Sequence, residues 1–208
     1  MKIIEKHSLW LRFVHWFNVP LVLLMIWSGL LIYWANSIYP GFFPDWFFEL
    51  FALKYKLAEG IATHFFVAWL FIINGFVYLV ALAISSHWRE LVPTKSSMRL
   101  LLPTILHDLG FGEAVPQAGK FNSAQRFAYT GVILLVLLEV LSGFAIFKPV
   151  QLSWLTDCFG GYKGARLVHF IVMITLCGFI LMHLLQVIRA GWNNFRAMVA
   201  GFEVEDDK

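Results

Sequence analysis

Charge is what this sequence has least of. Only 14% of its 208 residues are Asp, Glu, Lys or Arg, against roughly a quarter in ordinary soluble domains, while 60% are hydrophobic. That balance excludes a soluble globular domain and indicates a membrane protein. Cysteine is almost missing too. Cys158 and Cys177 are the only two, and they offer no disulfide framework, no CxxC redox pair and no CxxCH haem attachment. Any redox cofactor must therefore be held without a covalent link. Internal repeats and low-complexity segments are not visible. The formal net charge of +3 is too small to point to nucleic acid and is informative mainly about topology.

What is present is long apolar runs. Stretches of the roughly 20 residues needed to span a bilayer occur at 9–34, 61–85, 124–147 and 164–189. They predict an all-α, transmembrane four-helix bundle in which residues 1–208 form one membrane unit. The first run carries Trp10, Arg12, His15, Asn18 and Pro20. It exceeds a signal-peptide core and lacks a small-residue cleavage site, so it is expected to remain in the mature protein. With both termini cytoplasmic, eleven cations face inward (Lys2, Lys6, Arg12, Arg89, Lys95, Arg99, Lys120, Arg126, Arg189, Arg196, Lys208) and five outward (Lys54, Lys56, Lys148, Lys163, Arg166). The positive-inside rule favours that orientation.

The first outer connection, 35–60, contains YPGFFPDWFFELF, an aromatic segment suited to the headgroup level or to an external docking partner. The inner connection, 86–123, is the longest loop. Its MRLLLPTILHDLG stretch has a leucine-rich face that could lie along the membrane surface, with Pro103 expected to interrupt the helix. The second outer connection, 148–163, ends in a flexible GGYKGAR, and the acidic tail GFEVEDDK is expected to fray.

Ionisable groups inside a membrane span are expensive and normally mark a functional path or a cofactor. Four of the seven histidines fall in the predicted spans. His169 and His183 are 14 residues apart, close to four full helical turns and roughly 21 Å along the axis, so they share one face at two depths. By depth, His15 in the first span matches His183, and His64 in the second matches His169. Each level thus receives two imidazoles from two helices. That is what a six-coordinate b-type haem requires. The expectation is two haems b, an inner one on His15 and His183 and an outer one on His64 and His169. Gly29 lies 14 residues after His15, at the level of the other haem, where a glycine would let a flat macrocycle approach the backbone. Competing readings are helix-packing histidines, a proton path, or a metal-transport site, which would cluster its ligands at one depth. His7, His87 and His107 lie outside the spans and read as solvated or interfacial side chains, with His107 a candidate for proton delivery.

At this point the residues resemble a known family, the bacterial di-haem membrane cytochromes b that anchor formate dehydrogenases, nickel-iron hydrogenases and thiosulfate reductases. The resemblance runs through RFVHWFN, THFFVAW, GKFNSAQR, ARLVHF and LMHLLQV, with histidines in three of the four helices. It implies a cytochrome that moves electrons between an extracytoplasmic redox subunit (a molybdoenzyme, iron-sulfur protein, hydrogenase or cytochrome) and the quinone pool of a bacterial inner membrane. Substrate chemistry would belong to that partner. The resemblance also makes Asn122 and Gln125 candidate quinone residues, although Asn122 or Ser123 is equally a good N-cap for the third helix. Lys120 and Arg126 could meet quinone, haem propionates or lipid headgroups. Arg12 and Arg189 on the inner side, and Lys163 and Arg166 on the outer, sit near the histidines as propionate partners or as snorkelling flanks. Glu139, inside the third span, reads either as a structural hydrogen-bonding group or as a proton-handling one. Two other functions compete: a free-standing superoxide:quinone type oxidoreductase, and a transporter without haem.

Overall fold

The computed structural model describes residues 2–35, 43–53, 56–85, 88–108, 110–113, 115 and 121–205. Lys54, His87, Lys120, Lys208 and the 39–42 part of the aromatic segment lie outside the described residues. The elements run β1 (Lys2–Glu5), α1 (Leu9–Tyr33), α2 (Asp45–Leu50), α3 (Leu57–Ile84), α4 (Trp88–Leu91), α5 (Lys95–Asp108), α6 (Ser123–Phe147), α7 (Ser153–Cys158), α8 (Gly161–Ala200) and β2 (Phe202–Glu205). The fold is all-α, and among the described residues the helices are accompanied by one two-stranded sheet. Helices α1, α3, α6 and α8 are long and apolar enough to cross a membrane, and they coincide with the four expected spans. The chain divides into two compact units, Met1–Val80 with Val187–Lys208, and Ala81–Gln186.

The first unit pairs α1 with α3. Ser8 caps α1 by accepting the Leu11 N–H. At the start of α3, Glu59 sits in the first turn, where the helix dipole favours an acid. Gly60 lets the two helices approach, because a Cβ there would lie 2.8 Å from Leu31 Cβ; small residues commonly allow such contacts between membrane helices. Further along, Asn74 Nδ2 donates to the Val14 carbonyl and to Asn18 Oδ1, each at 3.3 Å. These contacts make the pair antiparallel. Leu31, Trp34, Phe48 and Leu53 form a buried cluster joining α1 to the α2 segment, and Trp27 Nε1 donates to the Phe51 carbonyl at 2.9 Å.

The acidic tail is ordered over 202–205. It forms β2, antiparallel to β1 with Ile3 opposite Val204, and Asn193 accepts the Val204 N–H while donating to the Val204 carbonyl. The approach is made possible by Gly191, whose φ of 80° breaks α8. The short helix beyond it meets α1 through Trp16 Nε1 to the Met198 carbonyl at 2.9 Å. Over 202–205 the expected fraying is not seen, because alternating Phe202 and Val204 find a partner strand that lies about two hundred residues earlier in the chain.

In the second unit α5 runs continuously through Pro103, against the expected interruption. The Arg99 carbonyl that Pro103 leaves without a donor belongs to an exposed residue, where water can serve it, and Thr104 Oγ1 donates to the neighbouring Leu100 carbonyl at 2.6 Å. Arg126 Nη1 and Thr130 Oγ1 on α6 donate to the Val92 and Leu91 carbonyls, each at 3.0 Å, and so hold the end of α4. At the opposite end of α6, Ala145, Leu155 and Ala165 form a small core, and Thr156 Oγ1 donates to the Ala145 carbonyl at 3.1 Å.

Candidate functional site

The residues of the spans that are buried most completely include two serines, Ser28 and Ser142, while Phe66, Phe76, Leu134 and Leu167 point outward. A chain solvated by lipid has no reason to hide large apolar groups, so its interior collects the polar ones. Both serines meet a histidine.

In the first unit Ser28 on α1 faces His64 on α3, with Oγ 2.9 Å from Nδ1. The same hydroxyl lies 2.6 Å from the Leu24 carbonyl and 3.2 Å from that of Met25. Gly29, the next residue, abuts the imidazole: a Cβ there would sit 3.6 Å from His64 Cε1. In the second unit Ser142 on α6 faces His169 on α8, with Oγ 3.0 Å from Nδ1. That hydroxyl lies 3.0 Å from the Glu139 carbonyl, which is also 3.1 Å from His169 Nδ1. Gly143 again follows the serine, and a Cβ on it would sit 3.3 Å from His169 Cε1. Each unit therefore repeats one arrangement, a Ser-Gly step on one helix gripping a half-buried histidine of another. Spacing of histidines alone does not disclose it, because the third span has none. The signal available in the sequence is the dipeptide shared by IWSGLL and VLSGFA.

The other expected residues are placed as follows. His15 lies edge-on to Trp16, with ring centroids 5.5 Å apart, and His183 stacks on Phe179 at 6.4 Å. Arg12 Nη1 donates to the Val199 carbonyl at 2.7 Å, and its guanidinium packs on Gly201. Arg166 lies over the Tyr162 ring at 5.9 Å. Asn122 and Gln125 form a reciprocal capping box on α6: Asn122 Oδ1 accepts the Gln125 N–H at 2.8 Å and Gln125 Oε1 accepts the Asn122 N–H at 2.9 Å. Asn122 also lines a cavity of about 430 Å³ between α5 and the start of α6, together with Thr104, His107 and Arg126. Glu139 brings Oε1 to 3.3 Å from His169 Nε2, and its Oε2 is buried with no hydrogen-bond partner among the described residues.

Metal-bound histidines commonly donate their second N–H to a neighbouring oxygen, the kind of contact that Ser28 and Ser142 make with Nδ1 of His64 and His169. Among the described residues no group of three or more His, Cys, Asp or Glu side chains could hold a bare metal ion. The described histidines stand singly rather than in such a group, which suits a macrocycle that brings four ligands of its own.

A sequence model of prokaryotic cytochrome b561 matches residues 6–201. The chain is also 34% identical over 182 residues to the putative protein-methionine-sulfoxide reductase subunit YedZ1 of Azospira oryzae, covering 87% of this chain and 89% of the relative.

Proposed function

Because the chain belongs to the prokaryotic cytochrome b561 family of membrane proteins that bind haem b, we propose that it is an electron-transfer subunit carrying two haems and linking a redox partner to quinone. His64 and His169 would hold the outer haem, His15 and His183 the inner. The observation that carries this reading is the repeated grip on His64 and His169, the pair assigned to a common depth by spacing. The haem supplies a one-electron couple; the protein supplies ligation, orientation and exclusion of water.

The relative is named as a subunit, which supports a chain that works with a partner over the free-standing superoxide:quinone oxidoreductase. Mild purification followed by identification of accompanying proteins separates the two, since a chain that reduces quinone from superoxide by itself needs no companion. Of the two candidate residues, Asn122 is the proposed contact for a quinone headgroup because it borders the cavity beside α6. Gln125 acts chiefly through the capping box and supports it. Arg12 and Arg166 are proposed to steady propionates only in addition to the contacts described above. Pairing of β1 with β2 puts both termini on one side, and the excess of cations in the inner segments supports a cytoplasmic location for them in an inner membrane.

Replacing His169 with alanine should remove the outer haem and leave the inner one. Pyridine haemochrome assay reads this directly: retention of two haem equivalents per chain would overturn the assignment. A protein lacking any dithionite-reducible alpha band would instead favour transport without haem.

A further inference from the structure

The two serines do more than fill space, because hydrogen counting at each of them fixes which nitrogen of its histidine carries the proton. A hydroxyl has one hydrogen to donate, and a backbone carbonyl can only accept. Ser28 Oγ is 2.6 Å from the Leu24 carbonyl, a separation that two oxygens hold only with a hydrogen between them. Its hydrogen is thereby committed, and the contact of 2.9 Å with His64 Nδ1 must be an N–H donated by the ring. At His169 the ring nitrogen faces two oxygens, the Glu139 carbonyl at 3.1 Å and Ser142 Oγ at 3.0 Å, and Ser142 itself reaches the same carbonyl at 3.0 Å. A lone pair on Nδ1 would confront the carbonyl lone pairs, so here too Nδ1 bears the hydrogen. In a neutral imidazole the lone pair then resides on Nε2.

We propose that Ser28 and Ser142 are matched positioning residues that hold His64 and His169 as Nδ1–H tautomers, direct Nε2 to the outer haem iron, and tune that haem's potential. The proposal rests on the assignment of those histidines to the outer haem. Donating Nδ1–H to an oxygen increases the electron density the ring offers its metal, which favours the ferric state and lowers the potential. A neutral hydroxyl does this less strongly than a carboxylate, so each serine would give its own histidine a moderate push. Gly143 completes the device at His169, because a Cβ there would crowd the ring at 3.3 Å, whereas at Gly29 a Cβ would meet His64 only at an ordinary contact of 3.6 Å. On His169 the Glu139 carboxyl lies 3.3 Å from Nε2, a contact that ligation through this nitrogen replaces.

The test uses the full chain carrying Ser28→Ala or Ser142→Ala, compared with Ser28→Thr, Ser142→Thr, His64→Ala and His169→Ala. Haem per chain, potentiometric titration and the electron paramagnetic resonance spectrum of the ferric outer haem are measured. The alanine variants should keep the inner haem, bind the outer haem about ten- to a hundredfold more weakly, and raise the midpoint potential of the outer haem that remains. The threonine variants, which retain the hydroxyl, should restore wild-type values. An unchanged potential and spectrum in both alanine variants overturns the proposal, as does a loss of both haems that threonine does not rescue. If the histidine variants keep two haem equivalents, the underlying haem assignment is what has failed.

Discussion

Gly29 and Gly143 occupy the same place after a serine, but the room beside them differs. A Cβ at residue 29 would meet His64 at 3.6 Å, ordinary van der Waals contact, whereas at residue 143 it would meet His169 at 3.3 Å, which forces the ring to give. Replacing a mid-helix glycine by alanine gains about 0.5–1 kcal/mol from lower backbone entropy, and overpacking typically costs about 1–3 kcal/mol. The first effect should win at Gly29 and the second at Gly143. Gly29→Ala is therefore expected to keep the full haem complement and match or exceed the wild type in thermal denaturation. Gly143→Ala should loosen the outer haem and lower the unfolding temperature; equal behaviour of the two variants would contradict the geometry. At this scale Gly29 could be singled out from its spacing to His15, and it lies against the ring of His64, the histidine expected at that level. Ser28, Ser142 and Gly143 could not be singled out that way. Their role depends on which side of the helix meets a neighbour, and in helices that are apolar nearly all round, periodicity carries little information about facing.

Among the elements, the α6 cap separates two roles that coincide on one residue. Asn122 both closes the capping box and borders the cavity beside α5. Loss of a cap costs about 1 kcal/mol, so Asn122→Ala should lower thermal stability whether or not quinone binds there. Asn122→Ser keeps an N-cap oxygen and removes the amide; the proposed quinone contact predicts stability within error with reduced quinone turnover, and normal turnover would contradict that contact. The end of α2 supplies a second case. Ala52 has a φ of 50°, and the Ala52 and Leu53 N–H groups bond to the Glu49 and Phe48 carbonyls at 3.1 and 2.9 Å, the hydrogen-bond pattern of a Schellman motif. An L-residue held in the left-handed region costs roughly 1–2 kcal/mol, so Ala52→Gly should raise the unfolding temperature. The spans themselves were legible in sequence to within a few residues at most ends, because bilayer thickness demands a long apolar run that composition reveals. Less legible were elements decided by local hydrogen bonding, such as the Schellman turn and the continuous α5, where a proline is tolerated because the carbonyl it deprives belongs to an exposed residue.

For the whole molecule, the element that sequence could least disclose is the terminal sheet, since Ile3 pairs with Val204 and no local pattern links positions so far apart. The pairing has a mechanical consequence. It closes the first unit at the base of α1, where Arg12 and Trp16 also hold the Val199 and Met198 carbonyls, so the segment carrying His15 is anchored by the far end of the chain. Opposed residues of an antiparallel pair have Cα atoms about 4.5–5.5 Å apart, inside the range a disulfide accepts. A chain with Ile3→Cys and Val204→Cys, in which Cys158 and Cys177 are replaced by serine, should form an intramolecular cross-link under mild oxidant, visible as a faster-migrating band that reductant abolishes. A neighbouring pair out of register, Ile3→Cys with Glu203→Cys, should cross-link more slowly, because adjacent strand residues point to opposite faces. Cross-linking at equal rates, or none at the matched pair, would mean that the termini do not form this sheet. Anchoring sets one further requirement for the matched pair: its oxidised form should hold the haem proposed on His15 at least as firmly as the reduced form against thermal loss, measured by the decay of the alpha band, because the link can only tighten the segment that carries His15.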